Sequence, residues 1–166
     1  MKLKNLIVDI PDFPKHGIVF KDISPLLKNH WTETLMALEK LLSPTEWEDI
    51  EYIAGIEARG FILASGLAAR LNKGMIPIRK KGKLPPPIEQ YAYELEYGSD
   101  VLEIKPGVGK VLLLDDVLAT GGTLEAGLSL CTSAGYQVID CMVLIDLTFL
   151  NTTSFNQNKI KSVIQY

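Results

Sequence analysis

Apolar residues recur along this chain at steps of three and four, the spacing that places side chains on one face of a helix. One such series consists of Trp31, Leu35, Leu38 and Leu42. The pair Ser43 and Pro44 is expected to end that helix, because the residue before a proline avoids helical geometry. Two further series predict helices over residues 61–71 and 123–134, and Gly135 follows the second as a C-terminal glycine cap.

Short and nearly continuous apolar runs lie between these helices. They predict strands at residues 52–56, 75–78, 110–116 and 137–146. Strands without a polar face that alternate with helices are typical of a parallel sheet covered by helices on both sides. We therefore expect a single α/β domain over residues 1–166, with its ligand site at the carboxyl ends of the strands.

Residues 79–90 interrupt this alternation. Their sequence, RKKGKLPPPIEQ, is basic and contains a glycine and three prolines, and strand-like alternation follows at residues 91–97 and 101–104. This pattern predicts a long loop that leads into a hairpin lying over the sheet. The tail after Leu150 is polar until residues 162–165.

Composition and charge narrow the class of protein. A formal net charge of −3 argues against nucleic acid as the main partner, since phosphate backbones are bound by surplus Lys and Arg. No apolar run approaches the roughly 20 residues that span a bilayer, and the first residues lack the pattern of a signal peptide. Cys131 and Cys141 form no CxxC pair and are interpreted as core thiols, so we expect a cytoplasmic protein.

The run LLLDDVLATGGT, residues 112–123, is the segment that suggests a chemistry. Asp115 and Asp116 end a buried strand, and small residues then lead into a helix. Main-chain amides at such a turn, together with the positive end of the helix, form a cradle for an anion such as a phosphate monoester. The acids would repel a phosphate unless they bind ribose hydroxyls, a divalent cation or both.

Other phosphate-binding motifs do not explain this segment. The Walker pattern GxxxxGK[ST] requires a lysine after Gly122, and the dinucleotide pattern GxGxxG is absent. The alternative is an ordinary strand–turn–helix without a ligand. We disfavour it because an aspartate pair at the end of an apolar strand is unfavourable without a partner.

The aspartate pair followed by ATGGT resembles the phosphoribosyl-pyrophosphate motif of the type I phosphoribosyltransferase family. Stretches at residues 10–27, 52–61, 78–85 and 95–104 are similar to the adenine phosphoribosyltransferases of that family. Together the five stretches cover nearly the whole chain in the family's order. The resemblance implies the type I phosphoribosyltransferase fold, with a small hood at residues 1–30 that binds the purine and a flexible loop and hairpin at residues 79–104.

The resemblance also implies an activity. The family's reaction transfers the 5-phosphoribosyl group from phosphoribosyl pyrophosphate to adenine, giving AMP and pyrophosphate in purine salvage, with Mg²⁺ and in a homodimer. No dedicated metal ligand is expected, since pyrophosphate and water would mainly hold the Mg²⁺ near Asp115 and Asp116. Two alternatives are a phosphoribosyltransferase for a 6-oxopurine, and a non-catalytic sensor of nucleotide or phosphoribosyl pyrophosphate with the same fold.

The family's roles for binding phosphoribosyl pyrophosphate carry over by position. Asp115 and Asp116 match the contacts to the ribose hydroxyls. The 5′-phosphate loop matches Ala119, Thr120, Gly121, Gly122 and Thr123. Arg59 matches the arginine of the pyrophosphate loop, where it would stabilise the leaving group. The dense basic cluster suited to pyrophosphate oxygens consists of Arg79, Lys80 and Lys83.

The purine and the catalytic loop are matched by other stretches. By resemblance, Phe20 stacks on the purine, backbone groups of Val19 and Lys21 read its Watson–Crick edge, and Val117 supplies the opposite apolar face. Glu96 and Tyr97 match the mobile catalytic loop, in which Glu96 would share or relay a proton. The family usually has a glycine soon after the Lys-Leu-Pro sequence, whereas this chain has three prolines at residues 85–87, which stiffen the backbone.

Overall fold

A computed structural model describes residues 2–95 and 98–166, and helices alternate with strands through its central part. The helices are a 3₁₀ helix at Leu3–Leu6, α1 Ser24–Asn29, α2 Trp31–Glu39, α3 Pro44–Glu48, α4 Arg59–Arg70 and α5 Gly122–Ser133. The strands are β1 Val8–Pro11, β2 Val19–Asp22, β3 Tyr52–Ile56, β4 Gly74–Lys80, β5 Glu89–Leu95, β6 Gly98–Ile104, β7 Gly109–Leu118, β8 Tyr136–Asp146, β9 Ser154–Phe155, β10 Asn158–Lys159 and β11 Lys161–Gln165.

A seven-stranded sheet in the order β11-β8-β7-β3-β4-β6-β5 forms the centre of the molecule. Its five strands from β11 to β4 are parallel, which confirms the predicted parallel-sheet core. The chain adds β4 on one side of β3 and then returns to add β7 on the other side, so the strand order reverses between β3 and β7. Ligands of open α/β sheets bind outside the carboxyl ends of the strands at such a switch point.

Helices cover both faces of this sheet and create two apolar cores. Along β7, Leu112 and Leu114 face the core that includes α4, whereas Val111 and Leu113 face the core that includes α5. This alternation follows from the two-residue period of a strand. Each of these four side chains is 0 % exposed, and burying one leucine contributes about 1.5–3 kcal/mol. The burial on both faces explains why the strand sequences lack a polar side.

The hairpin of β5 and β6 continues the sheet, which corrects the expectation that it lies over it. Strand β6 pairs antiparallel with the end of β4, with Arg79 opposite Glu103 and Lys80 opposite Leu102, and β5 forms the edge. The strands also curl enough for β5 to pack against α5. The loop between β4 and β5 therefore lies at the carboxyl end of β4, on the same side as the switch point.

Cys131 in α5 and Cys141 in β8 are both free and buried, which confirms their interpretation as core thiols. Burial raises the pKa of the Cys131 thiol to about 12, so the reactive thiolate form is suppressed. Within residues 2–95 and 98–166, no helix combines the length and the apolar character needed to cross a membrane.

Ser43 and Pro44 begin a helix, which corrects the expectation that they end one. Helix α2 stops at Glu39, and Pro44 is the first residue of α3. The backbone amide of Ser43 donates to the Glu46 carboxylate at 2.7 Å, and the Ser43 hydroxyl accepts from the Glu46 amide at 3.3 Å. This reciprocal capping box, together with a proline at the first helical position, explains why three residues beyond α2 suffice to start a new helix.

Replacing Glu46 with glutamine is expected to remove a pH-dependent contribution to stability. The Ser43 amide, followed by Lys161, lowers the pKa of Glu46 from 4.5 to about 2. A carboxyl whose pKa is lowered by folding stabilises the fold at pH values above its pKa in the unfolded chain. This contribution is lost as the pH falls towards 2. The Tm of wild type should therefore exceed that of Glu46→Gln above pH 5, and the difference should vanish near pH 2 in calorimetry. A constant difference across this range would contradict the assignment.

Candidate active site

The loop between β7 and α5 surrounds a cavity at the switch point of the sheet. The cavity has a volume of about 250 Å³. It is lined by Arg59, Asp115, Asp116, Val117, Leu118, Ala119, Thr120, Gly121, Thr123 and Leu124. The structure thus brings together the acid pair, the glycine-containing loop and the arginine after β3, three features that the sequence predicted separately.

Gly121 gives the loop the shape of a cradle. Its φ of +101° lies in the left-handed region, and a β-carbon there would overlap the hydroxyl of Thr153. Helix α5 begins at the next residue, Gly122, and its first helical hydrogen bond runs from the Glu125 amide to the Gly121 carbonyl. The preceding amides of the first turn have no partner within the helix and carry its partial positive charge. This end of α5 can therefore bind an anion through the main chain.

The acid pair at the end of β7 is nearly inaccessible to solvent. Asp115 and Asp116 are 7 % and 8 % exposed, and the Asp116 amide donates to Asp115 Oδ1 at 2.9 Å. Burial, and then the charge of Asp116, raises the pKa of the Asp115 carboxyl well above its ordinary value. Among the described residues, Asp116 Oδ2 has no partner with hydrogen-bond geometry. The pair is thus suited to a ligand that donates hydrogen bonds.

Arg59, the first residue of α4, links the acid pair to the hood. Its Nε lies 2.5 Å from Asp116 Oδ2, and its Nη1 donates to the backbone carbonyl of Lys21 at 2.9 Å. Its guanidinium carbon lies 4.4 Å from the centroid of the Phe20 ring. The next residue must be small, because a β-carbon on Gly60 would lie 2.9 Å from Asp115 Oδ1. Arg59 therefore occupies the junction between the predicted ribose contacts and the predicted purine contacts.

In the hood, β2 pairs antiparallel with β1 and presents Phe20 and Lys21 to opposite sides of this hairpin. Phe20 faces Arg59 and packs edge-on against Phe13 at a centroid distance of 5.1 Å. The Lys21 side chain is 9 % exposed, forms an ion pair with Asp9 at 2.7 Å and lies 3.8 Å from the centroid of the Tyr166 ring. These contacts hold the Lys21 side chain away from Phe20. The Lys21 backbone carbonyl, in contrast, accepts the hydrogen bond from Arg59. Val19, one residue before Phe20, is 48 % exposed.

The basic cluster at the carboxyl end of β4 lies beside the loop that precedes Arg59. The Arg79 Nε is 3.4 Å from Glu57 Oε2, which also accepts the Lys80 amide at 2.8 Å. That amide is the main reason why the pKa of Glu57 is lowered. The Lys80 ammonium is ion-paired with Asp100. Sequence reasoning missed Glu57, although it stands two positions before Arg59 in a stretch that carried the resemblance.

A larger cavity adjoins the loop on its other side. It has a volume of about 590 Å³ and is lined by Thr120, Glu125 and residues 148–154. Its lining offers hydroxyl and amide groups, one carboxylate and no basic side chain. A phosphate would meet the charge of Glu125 there without a compensating cation. The smaller cavity, which has the arginine, the acid pair and the start of α5, is therefore the better anion site.

Comparison with known proteins decides the family. The phosphoribosyl transferase domain matches residues 34–162. The adenine phosphoribosyltransferase of Bdellovibrio bacteriovorus is 52 % identical over 166 residues, all of both chains. The chain belongs to the adenine phosphoribosyltransferase family. It is accordingly an enzyme of the glycosyltransferase class that transfers pentosyl groups.

Solved structures of the family share its fold. The crystal structure of adenine phosphoribosyltransferase from Thermoanaerobacter pseudethanolicus has a TM-score of 0.91 and 43 % identity, covering 99 % of this chain and 98 % of that one. The Saccharomyces cerevisiae enzyme, complexed with an imino-altritol bisphosphate and adenine, has a TM-score of 0.83 and 35 % identity, covering 89 % and 88 %. These likenesses confirm the type I phosphoribosyltransferase fold that the sequence predicted.

The predicted catalytic-loop residues Glu96 and Tyr97 lie outside the described residues. The strands on either side of them are described, and Leu95 pairs with Gly98 at the tip of the β5–β6 hairpin. At the same hairpin, the Glu94 carbonyl would lie 3.5 Å from a β-carbon on Gly122. The carboxyl end of β5 therefore reaches the start of α5.

The acid pair suits a metal ion that is carried by a substrate. Within the part of the chain that the structure describes, no group of three or more His, Cys, Asp or Glu side chains could hold a metal ion. Magnesium in phosphate sites uses one or two carboxylates and takes its remaining ligands from water and phosphate oxygens. Asp115 and Asp116 supply two neighbouring carboxylates at the cavity, which fits this limited contribution.

Proposed function

We propose that the protein transfers the 5-phosphoribosyl group from phosphoribosyl pyrophosphate to adenine, which gives AMP and pyrophosphate in purine salvage. The observation that carries this proposal is the 250 Å³ cavity, in which the phosphate loop, the acid pair and Arg59 meet beside Phe20. A relative with 52 % identity over the full length has this named activity, and the yeast neighbour was crystallised with adenine.

The ribose 5-phosphate half of the substrate fits the loop and the acid pair. The 5′-phosphate accepts main-chain hydrogen bonds at the start of α5, and Thr120 and Thr123 add hydroxyl donors. The ribose hydroxyls donate to Asp115 and Asp116. Binding adds hydroxyl donors to Asp116 Oδ2, which is ion-paired with Arg59, and favours the ionised form of Asp115.

Adenine binds between the hood and the loop that follows the acid pair. Phe20 stacks on one face of the purine, and Val117 supplies an apolar contact on the other. Backbone groups of Val19 and Lys21 read the Watson–Crick edge. Since the donor and acceptor pattern of a 6-oxopurine is inverted at that edge, the same backbone groups disfavour it.

The reaction forms a bond from the purine nitrogen to C1 of the ribose and breaks the bond from C1 to the pyrophosphate oxygen. Arg59 lies between the ribose contacts and the purine contacts, where its positive charge stabilises the negative charge that develops on the leaving pyrophosphate oxygen. Glu96 accepts or relays the proton that the purine loses. Mg²⁺ held mainly by pyrophosphate and water near Asp115 and Asp116 would supply further positive charge to the leaving group. Closure of the hairpin over the site excludes the water that would hydrolyse the ribosyl centre, and by resemblance Tyr97 belongs to this closing loop.

Pyrophosphate binds to Arg79, Lys80 and Lys83. Two of these cations are engaged by acids, Arg79 by Glu57 and Lys80 by Asp100, so binding pyrophosphate exchanges these partners. The exchange costs little because the pairs are partly exposed, and exposed ion pairs are worth about 0–1 kcal/mol.

The surrounding organisation follows the family. We infer a cytoplasmic homodimer in which a basic residue such as Arg79 reaches the partner's site. Each chain forms one catalytic domain, with residues 1–30 as its hood and residues 79–104 as its closing loop and hairpin. Size-exclusion chromatography with light scattering at micromolar concentration tests the dimer, and a purely monomeric protein would reject it.

A panel of bases tests the substrate. With phosphoribosyl pyrophosphate and Mg²⁺, a coupled assay for pyrophosphate should respond to adenine far more strongly than to hypoxanthine or guanine. Preference for a 6-oxopurine would identify the protein as a different phosphoribosyltransferase. Ligand binding without release of pyrophosphate for any base would identify it as a sensor.

Replacing Glu96 with glutamine should lower turnover more than nucleotide affinity, because the amide retains the shape but cannot accept the proton. Removal of a general acid or base typically lowers a rate by about 10²–10⁴-fold. Steady-state kcat and the Kd for AMP separate the two effects, and Glu94→Gln, two residues earlier on an exposed part of the hairpin, is the matched control. An unchanged kcat would remove Glu96 from the mechanism.

A further inference from the structure

Glu103 is a buried carboxylate that binds the loop between β4 and β5. It is 1 % exposed, although it belongs to a strand near the edge of the sheet. Its Oε1 accepts the Gly82 amide at 2.7 Å and Gln90 Nε2 at 2.8 Å. Its Oε2 accepts the amides of Lys83 and Leu84 at 3.2 and 3.3 Å. Three successive main-chain amides thus converge on one side chain, as they do on a bound anion.

The strand register explains how one side chain reaches both ends of this loop. Glu103 lies opposite Arg79 on β4 and opposite Gln90 on β5. These two residues lie close to the start and the end of the loop, so the Glu103 side chain is next to both ends. Gly82 turns the chain with a φ of +77°, which allows the amides of the turn to point inward. The Gly82 amide is the main reason why the pKa of Glu103 is lowered, so the carboxylate is the form that the loop binds.

This arrangement fixes the geometry of the basic cluster. With the turn held on Glu103, the Lys83 carbonyl lies 3.2 Å from Arg79 Nη1 and accepts a hydrogen bond from it. The Lys105 ammonium donates to the carbonyl of Pro85 and so fixes the first residue of the three prolines at 85–87. The main chain is therefore held by hydrogen bonds on both sides of Lys83, at Gly82 before it and at Leu84 and Pro85 after it.

We propose that Glu103 is a positioning residue for the pyrophosphate half of the substrate. It acts through the main chain of residues 82–84, which sets where Lys83 and Arg79 present their charges. The inference rests on the proposed function, because it takes these two cations as the pyrophosphate ligands. Glu103 touches neither the acid pair nor the hood among its hydrogen-bond partners. Removing the Glu103 carboxylate should therefore weaken the binding of phosphoribosyl pyrophosphate and leave the binding of adenine unchanged.

The variant Glu103→Gln tests this role. A glutamine amide turns one acceptor oxygen into a donor that faces main-chain donors, so it cannot bind both sides of the turn. The KM for phosphoribosyl pyrophosphate should rise by roughly tenfold or more, while the KM for adenine stays within about twofold. Glu103→Asp keeps the charge on a shorter side chain and should restore part of the affinity. Equal changes in both KM values, or no change in either, would overturn the inference.

Glu51→Gln is the matched control. Glu51 also accepts a main-chain amide, that of Lys110 at 2.8 Å, but it lies at the amino-terminal edge of the sheet, away from the site. Both KM values should match those of wild type. If Glu51→Gln also raises the KM for phosphoribosyl pyrophosphate tenfold, the effect of Glu103→Gln reflects general loosening and the inference fails. Wild type that forms no AMP from adenine would instead reject the proposed function.

A double variant distinguishes positioning from an independent effect. Groups that act through one another give non-additive changes. If Glu103 acts by positioning Lys83, Glu103→Gln should have a small effect once Lys83 has been replaced. The rise in the KM for phosphoribosyl pyrophosphate that Glu103→Gln causes should therefore be much smaller in the Lys83→Gln variant than in wild type. Fully multiplicative effects of the two substitutions would contradict this coupling.

Discussion

Replacing Arg59 with alanine is expected to reduce kcat/KM for AMP formation by roughly 10²–10³-fold, the loss typical of removing one preorganised electrostatic group. Arg59 contacts Asp116, the Lys21 carbonyl and the Phe20 ring at once. The substitution thus removes positive charge from the junction of ribose and base, and also removes the contact between the hood and the acid pair. Steady-state kinetics with the pyrophosphate-coupled assay measures the loss.

The other end of the same helix supplies the control for Arg59. Arg70, the last residue of α4, pairs with Glu39 at 2.5 Å on the surface. Arg70→Ala removes an arginine whose side chain has an exposure similar to that of Arg59 and that also pairs with a carboxylate. It does not touch the cavity, so kcat/KM should stay within about twofold of wild type. A loss of less than tenfold for Arg59→Ala, in protein that melts as a folded chain, would contradict the role of Arg59.

Replacing Gly121 with alanine is expected to weaken binding of phosphoribosyl pyrophosphate by roughly tenfold to a hundredfold. A non-glycine residue held at φ +101° costs about 1–3 kcal/mol, and each 1.4 kcal/mol corresponds to tenfold in affinity. The β-carbon also overlaps the Thr153 hydroxyl, so the loop must shift away from the position in which its amides converge. The Kd for AMP, measured by calorimetry, reports the effect on the phosphate cradle directly.

Gly135 provides the control at the far end of α5. It has a φ of +99°, and a β-carbon there would lie 2.5 Å from the Gly107 carbonyl oxygen. Gly135→Ala therefore introduces comparable strain away from the cavity, and should lower Tm while leaving the Kd for AMP within about twofold. Gly121→Ala with wild-type affinity for AMP would show that the loop does not hold the phosphate.

Much of the fold could be predicted because its signals are local. The strands β3, β4, β7 and β8 are apolar on both faces, and α4 and α5 have apolar residues at helical spacing, so each pattern reports its own burial. The short elements gave weaker signals. Helix α3 depends on a capping box, and β11 is a five-residue edge strand in a largely polar tail. The hairpin was predicted, but its place in the sheet depends on two residue pairs between β4 and β6.

The candidate site was predictable to the extent that single segments carry it. The acid pair and the turn after it are contiguous, so their arrangement at the end of β7 follows from the sequence alone. The partners of Arg59 are different, because they come from β2 and β7 and depend on how the hood docks on the sheet. Glu57 and Glu103 were missed for the same reason. A carboxylate that accepts amides from another segment looks, in the sequence, like any surface acid.

The central claim is that main-chain amides of the loop at residues 119–123 hold the 5′-phosphate while Asp115 and Asp116 hold the ribose. A crystal structure of the complex with AMP tests it most directly. The phosphate should lie within hydrogen-bond distance of the amides that begin α5, with both ribose hydroxyls on the acid pair. A phosphate found instead in the 590 Å³ cavity beside Glu125, or a ribose turned away from the aspartates, would contradict the account.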